Sequence, residues 1–429
     1  MKILHVTPHL GGGVGKAHAT ISPVLPEVVE QTFVLLEPPR DHRFIEKIRS
    51  AGGNVIIADD LDHVASLARK ADIVQFEFWN HPRMFECLAR TKFPPIRSVF
   101  WSHISGLFQP VIQPALIEEA ARFVFTTEAS RSIASVAALG ARARKKIAVI
   151  NSGFGFAGGS PRTARGRKPG VAYLGTVDFA KMHPGFFDAV DGLVDDDVRV
   201  MVWGDFDPTG PVAARAKAMR NLTRVNFMGL ATDSSIALSN ADIFFYPLQP
   251  NHYGTAENAL VEAMSLGLTP LVLNNPAEMA IVRDGETGFV AKSIEEIGSL
   301  LQMLLLLPDV RAQISKNAIR DVTETRNPLL SAREFMTLWL GLLCETPRYC
   351  DLTRAVGGNP AEWYRSTQCL SEAPWTLPVP KGEAPSKGTL THFRTAFAAD
   401  LVSKKWARDR TVRRQRVNRS KPRSATASG

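Results

Sequence analysis

The sequence has no run of eighteen or more uninterrupted apolar residues, the length that a transmembrane helix needs. An N-terminal signal pattern is missing as well, since the first seven residues alternate like a strand. No internal repeat is found. Cysteine is scarce, and its four copies stand at no metal-ligand spacing: Cys87, Cys344, Cys350 and Cys369. We therefore expect a cytoplasmic protein with free thiols.

The surplus of positive charge is confined to one segment. The chain has a formal net charge of +9, and residues 404–423 hold ten basic residues and one acid, so the remainder is neutral. A neutral body with an appended basic tail argues against a specific nucleic-acid-binding fold, which spreads its charge over a groove. We expect the tail, 404–429, either to contact an anionic membrane face or to stay disordered and solvated.

Apolar runs alternate along the chain with helical or polar segments, and this is typical of parallel sheets covered by helices on both faces. The sequence therefore predicts an α/β protein with two Rossmann-like, doubly wound domains. The predicted organisation is a first domain (1–151), a linker rich in glycine, serine and basic residues (152–169), a second domain (170–330), a helix that crosses back (331–345), a C-terminal extension (346–403) with a short element near 387–397, and the basic tail (404–429).

The segment from Tyr253 to Gly288 is the most informative for function. Thr255 precedes a run of helical periodicity, so it is predicted to be an N-cap with free backbone N–H groups beyond it. Such a helix start attracts phosphate. Asn258 and Glu262 are four residues apart and share a face of that helix with Thr255. The alternative is an ordinary capped helix on which Glu262 is a solvated charge.

This segment resembles the donor-binding segment of the retaining glycosyltransferases of the GT-B fold, those of group 1 or family 4-like. The resemblance rests on the second half of a Glu-x7-Glu motif and its sequel: Glu262, Ala263, Met264, Gly267, Asp284, Gly285 and Gly288. It implies that Glu262 grips the donor ribose. The first glutamate of the motif would fall on Gly254 and is missing. Glu257 is the candidate replacement in catalysis, or it merely complements the helix dipole.

Other positions extend the resemblance. Lys181 stands where the family has a lysine that neutralises the leaving diphosphate, whereas Thr176 replaces the arginine expected beside it. Gly12 and Gly13 match a glycine loop near the donor phosphates. The rival interpretation of that loop, a dinucleotide fingerprint, lacks its third glycine. His103 follows the fifth strand. A histidine of the family faces the donor sugar at this position, so the resemblance implies that His103 is a catalytic candidate.

The resemblance implies two domains that face a central cleft and transfer a sugar, with retention, from a UDP- or GDP-sugar co-substrate to an unidentified glycan, lipid or small molecule. No separate cofactor and no metal are implied, and the acidic motifs 195–197 and 205–207 are predicted to be loops. Two alternatives stay open. One is a nucleotide-sugar hydrolase or epimerase on the same fold, and the other is a non-catalytic binding relative. The sequence indicates no oligomeric state.

Overall fold

The computed structural model describes residues 1–39, 41–156, 159–160, 168–255, 257–379, 383 and 386–398. Its first sheet has seven parallel strands in the spatial order β3-β2-β1-β4-β5-β6-β7. The bounds are β1 Lys2–Thr7, β2 Glu30–Leu35, β3 Asn54–Ile57, β4 Ile73–Phe78, β5 Ser98–Ser102, β6 Arg122–Phe125 and β7 Ile147–Val149. A parallel sheet of this kind is what the alternation of apolar and helical segments in the sequence predicts.

The second sheet has six parallel strands in the order β10-β9-β8-β11-β12-β13. The bounds are β8 Val171–Leu174, β9 Val200–Trp203, β10 Val225–Gly229, β11 Ile243–Tyr246, β12 Thr269–Leu273 and β13 Phe289–Ala291. In each sheet the strand order reverses beside the first strand, and ligands of such folds bind at the carboxyl ends of the strands there. The predicted pair of doubly wound α/β domains is confirmed.

Helices cover the sheets and extend the chain beyond them. Their bounds are α1 Gly12–Ile21, α2 Arg43–Ser50, α3 Leu61–Lys70, α4 Pro82–Arg90, α5 Pro114–Glu119, α6 Ala134–Ala137, α7 Ala141–Arg144, α8 Phe186–Asp191, α9 Pro211–Lys217, α10 Ser234–Ala237, α11 Glu257–Ser265, α12 Pro276–Met279, α13 Ile294–Leu306, α14 Pro308–Thr325, α15 Pro328–Leu343, α16 Leu352–Val356, α17 Pro360–Thr367 and α18 Leu390–Ala396. Short 3₁₀ turns lie at Ser22–Val24, Glu128–Ser132 and Pro374–Thr376.

Helix α15 starts three residues earlier than the predicted crossing segment and ends two residues sooner. It leaves the second domain and packs against α1 and β4 of the first. The ring of Phe335 meets Trp101 edge to face at 4.8 Å, and Trp339 is fully buried. Its indole Nε1 donates a hydrogen bond of 3.1 Å to Oε1 of Gln75 on β4. The helix therefore ties the end of the second domain to the middle of the first sheet.

The C-terminal extension forms more structure than the sequence indicated. Helices α16, α17 and α18 pack on α4, and α16 also packs on α5, so the extension covers one side of the first domain. Trp363 is buried, and its indole Nε1 donates to Oδ1 of Asn80 at 2.8 Å. Phe397 meets Phe85 edge to face at 5.7 Å. The basic tail, 404–429, lies outside the described residues.

By length and apolar composition, none of the described helices could cross a membrane alone, and only Ile294–Leu306 taken with Pro308–Leu343, a pair bent by 104°, passes that test.

Candidate functional site between the two domains

Helix α11 carries the carboxylate that was predicted to hold ribose. The helix ends at Gly267, whose φ of +82° allows its N–H to bond the carbonyl of Met264, while the N–H of Leu268 bonds that of Ala263. Glu262 lies inside this helix and is only 5% exposed. Its Oε1 forms an ion pair with Nζ of Lys16, which comes from α1 in the first domain. The ion pair therefore crosses the cleft.

The start of α11 faces the glycine loop of the first domain. A Cβ built on Gly13 would lie 2.4 Å from Nδ2 of Asn258, so any larger residue would require the Asn258 side chain to move. Gly12 has a φ of +63°, in the left-handed region that favours glycine. The structure thus brings together Gly12, Gly13 and Asn258, which the sequence placed at one donor site.

Two further predictions concern residues at the beginning of α11. The helix begins at Glu257, so Thr255 lies two residues before it, and the residue between them is outside the described part of the chain. The N-cap role of Thr255 stays a prediction. The side chain of Glu257 is also outside the described part, so its proposed role in catalysis is untested.

Lys181 follows β8 and lies beside the segment that leads to α11. Its carbonyl accepts a hydrogen bond of 2.8 Å from the N–H of Gln249, and its Nζ lies 5.6 Å from the centre of the Tyr246 ring. Burial would lower the pKa of Lys181, but the phenols of Tyr246 and Tyr253 and the carboxylate of Glu278 outweigh it and raise the pKa. The ammonium is therefore charged at neutral pH.

A buried carboxylate next to Lys181 is locked in place by its neighbours. Glu278 is fully buried, its Oε2 lies 3.1 Å from Nε2 of His252, and its Oε1 accepts 3.1 Å from Nδ2 of Asn275. Nδ1 of His252 accepts from the N–H of Gly254 at 3.1 Å, so its proton is on Nε2. This contact was not predicted from the sequence. The Asn-Pro-x-Glu spacing at a helix start was the available signal.

The first domain meets this segment through the loop after β5. Both the backbone N–H and Oγ of Ser105 donate to the carbonyl oxygen of Tyr253 at 3.3 Å. His103, two residues earlier, is mostly buried, and its Nε2 lies 2.9 Å from Oε2 of Glu77. Burial lowers the pKa of His103 more than the hydrogen bond to Glu77 raises it, which favours the neutral imidazole. The structure therefore places the loop that carries His103 against the donor segment, and the role of His103 stays a prediction.

A second group of titratable side chains follows β1, β2 and β4 at the same edge of the first sheet. Glu37 Oε1 lies 3.6 Å from Nε2 of His81, while His9 is close to both, and His392 of α18 meets the His81 ring edge to face at 4.6 Å. In each histidine Nδ1 accepts from a backbone N–H at 3.1–3.2 Å. When uncharged, each of these rings carries its proton on Nε2, the atom that a metal ion would need unprotonated.

The two acidic motifs of the second domain lie in surface loops, as predicted. Asp195 and Asp197 pair with Lys168, and Oδ1 of Asp207 accepts from the N–H of Thr209 at 2.8 Å. These carboxylates serve local turns and an exposed ion pair.

The second domain is also matched in sequence. Residues 161–321 match the family described as glycosyl transferases group 1. This segment is similar to a group 1 glycosyl transferase domain. It contains Lys181, Asn258 and Glu262, whereas Gly12 and Gly13 of the donor prediction lie outside the match. No curated protein matches the chain in sequence.

Solved structures share the whole two-domain arrangement. The Anabaena protein Alr3699/HepE, determined with UDP-glucose, has a TM-score of 0.64 and 16% identity over 80% of this chain and 100% of that one. A glycosyltransferase from Rickettsia africae ESF-5 has a TM-score of 0.61 and 14% identity, and sucrose-phosphate synthase from Thermosynechococcus elongatus has 0.58 and 14%; each covers 80% of this chain and 99% of its own. At these identities the likeness shows a shared fold, GT-B.

The departures from the group 1 pattern are visible in the fold. Thr176, in place of the arginine, has its carbonyl bound by the hydroxyl of Tyr173 at 2.7 Å. Gly254, in place of the first glutamate, donates its N–H to His252. Lys16 is a basic residue at the donor helix that the sequence did not single out, because its partner Glu262 is 246 positions away. The segment similar to group 1 glycosyl transferases thus has one lysine and one glutamate of the motif.

Proposed function

We propose that the protein is a retaining glycosyltransferase that moves a sugar from a nucleotide diphosphate to an acceptor. The observation that carries this proposal is the meeting of the α11 start with the glycine loop, where Gly13 faces the side chain of Asn258. Gly13 and Asn258 are each the second residue of a helix, so the first turns of α1 and α11, whose backbone N–H groups have no partner within the helix, lie side by side. This arrangement suits a diphosphate, because helix starts bind anions.

The proposed reaction needs fixed positive charge at the leaving group. Breaking the bond between a sugar and a diphosphate builds negative charge on the leaving oxygens, and preorganised donors stabilise it best. Lys181, charged and held beside Tyr246, would supply one cation, and the α11 start would supply further N–H donors. Lys16, which pairs with Glu262, is a basic residue that would take the role of the arginine that Thr176 replaces. We propose that these groups act without a metal ion.

Two further parts of the proposal concern the donor and the location. Alr3699/HepE was solved with UDP-glucose, which supports testing UDP-sugars before GDP-sugars. We propose a cytoplasmic location because Cys87, Cys344, Cys350 and Cys369 are all free of disulfides. Contact of the basic tail with an anionic membrane face is proposed from its charge alone.

Product analysis tests this function. Purified protein is incubated with UDP-glucose, UDP-galactose, UDP-N-acetylglucosamine or GDP-mannose, with and without a panel of glycan, lipid and small-molecule acceptors. We expect nucleotide release that depends on an acceptor, and NMR of the product should show the anomeric configuration of the donor. Equal nucleotide release without acceptor would indicate a hydrolase instead, and conversion of the sugar without release an epimerase. Nucleotide binding without turnover would indicate a non-catalytic relative.

A further inference from the structure

A glutamate lies in the middle of the first sheet, where its charge is costly unless it is fully paired. Glu77 is on β4, all six residues of which are buried, and it is 0% exposed itself. Burial would raise the pKa of Glu77, but the charge of His18 and hydrogen bonds from His103, His18 and His5 outweigh it and hold the pKa well below its ordinary value. The group is therefore a carboxylate, which can only accept hydrogen bonds.

The direction of each hydrogen bond around Glu77 follows from a side chain that can only donate. Indole Nε1 of Trp339 donates to Oε1 of Gln75, so the amide nitrogen of Gln75 faces Glu77 and donates to Oε1 at 3.0 Å. Nδ1 of His5 donates to the same oxygen at 2.9 Å, and Nε2 of His18 lies 3.0 Å from it. Oε2 is left for Nε2 of His103, at 2.9 Å.

We propose that Glu77 is a positioning residue for His103: its carboxylate holds the proton of the imidazole on Nε2, so that Nδ1 offers a lone pair to a hydroxyl of the donor sugar. Among the described residues, none forms a hydrogen bond with Nδ1 of His103. The loop that carries His103 contacts the donor segment through Ser105 and Tyr253. The inference rests on the proposed function for the identity of the hydroxyl, and on geometry alone for the tautomer.

Replacing Glu77 by Gln should invert the tautomer. The side-chain oxygen of the glutamine must stay toward the donors of Gln75 and His5, because its amide N–H₂ would oppose them. The N–H₂ group then faces His103 and can only donate, so Nε2 must become the acceptor and the proton moves to Nδ1. A residue with the same shape as Glu77 would thus convert the acceptor offered to the sugar into a donor.

Nitrogen NMR of protein labelled with ¹⁵N-histidine measures this directly and needs no activity. His103→Asn assigns the signal. We expect His103 as the Nε2–H tautomer in the wild type and as the Nδ1–H tautomer in Glu77→Gln. His252 is the internal control, since Glu278 and the N–H of Gly254 hold it as Nε2–H in every variant. A wild-type His103 with its proton on Nδ1 would overturn the proposal, even if the variant does not fold.

Turnover separates positioning from a structural role. Glu77→Gln should lower kcat about a hundredfold, the scale for a misplaced reacting group, with the donor KM changed less than about threefold. In a His103→Asn background the same change should lower kcat by less than about twofold, because the two residues act through one contact. Equal losses in both backgrounds would contradict the proposal. If the wild type has no turnover, the proposed function fails while the tautomer result still stands or falls on its own.

Discussion

Apart from the ion pair of Lys16 with Glu262, the two domains present different chemistry to the cleft between them. The second domain offers a charged lysine, Lys181, and the start of α11, whereas the first offers the neutral imidazole of His103 and the half-buried carboxylate of Glu37. The difference suggests a division of labour in the proposed reaction. The positive groups of the second domain would stabilise the leaving diphosphate, and the neutral imidazole and the carboxylate of the first domain would accept hydrogen bonds from sugar hydroxyls.

The largest expected effect concerns Lys181, the charged lysine that the second domain presents to the cleft. Lys181→Ala should lower turnover about a hundredfold, the scale for losing one preorganised donor to developing charge. Steady-state nucleotide release with saturating donor measures it. Lys217→Ala, an exposed lysine on α9 of the same domain, is the control. If Lys181→Ala stays within about twofold of the wild type, Lys181 does not act on the leaving group.

The next effect concerns ribose recognition by Glu262. Glu262→Gln keeps the shape but removes the charge, and hydrogen bonds to charged groups are worth about 1.5–3 kcal/mol. We expect nucleotide affinity to fall roughly ten- to hundredfold, measured by calorimetry, with a smaller change in kcat. Glu324→Gln, on the exposed face of α14, should leave affinity unchanged. Unchanged affinity in Glu262→Gln would remove this carboxylate from the ribose.

Gly13→Ala tests whether the glycine loop of the first domain must approach the start of α11 closely for nucleotide to bind. The added Cβ would lie 2.4 Å from Nδ2 of Asn258 across the cleft, so the Asn258 side chain would have to leave its position at the start of α11. We expect nucleotide affinity to fall roughly tenfold with little change in melting temperature, since α1 itself is not disturbed. Gly140→Ala has open space around its Cβ and serves as the control. Equal affinities of the two variants would show that the cleft is wider when ligand binds.

The smallest effect concerns Glu37 on the first-domain side. Burial would raise the pKa of Glu37, but the hydrogen bond and charge of His81 and the charges of His9 and His392 outweigh it and lower the pKa from 4.5. A lowered pKa stabilises the fold above the ordinary value, and this stability is lost as the pH falls through the folded value. Melting curves should show Glu37→Gln less stable than the wild type by at most about 1 kcal/mol at neutral pH. The difference should vanish in acid; Glu46→Gln, an exposed control, should show neither effect.

Features that depend on neighbours in sequence were predictable. The strands, α11 and the position of Lys181 follow from apolar runs, glycine turns and motif spacing, which are local properties. Helices α16 and α17 of the C-terminal extension were not predicted, because their buried faces become evident only against α4, whereas α18 lies within the short element predicted near 387–397.

The Glu77 network could not be predicted either. Trp339, Gln75 and His103 converge only through the sheet order and the returning helix α15, and no periodicity marks a single glutamate within an apolar strand. The ion pair of Lys16 with Glu262 has the same origin, since it joins two domains. Contacts between distant residues therefore account for most of what the sequence missed.

Nucleotide binding tests the central claim most directly. Calorimetry of the full chain with UDP, GDP and ADP, beside Lys181→Ala and its control Lys217→Ala, needs neither acceptor nor sugar. We predict that one nucleotide binds at micromolar concentration, that Lys181→Ala weakens it and that Lys217→Ala does not. Binding of none of the three, by a protein with an intact melting transition, would contradict a donor site between these domains.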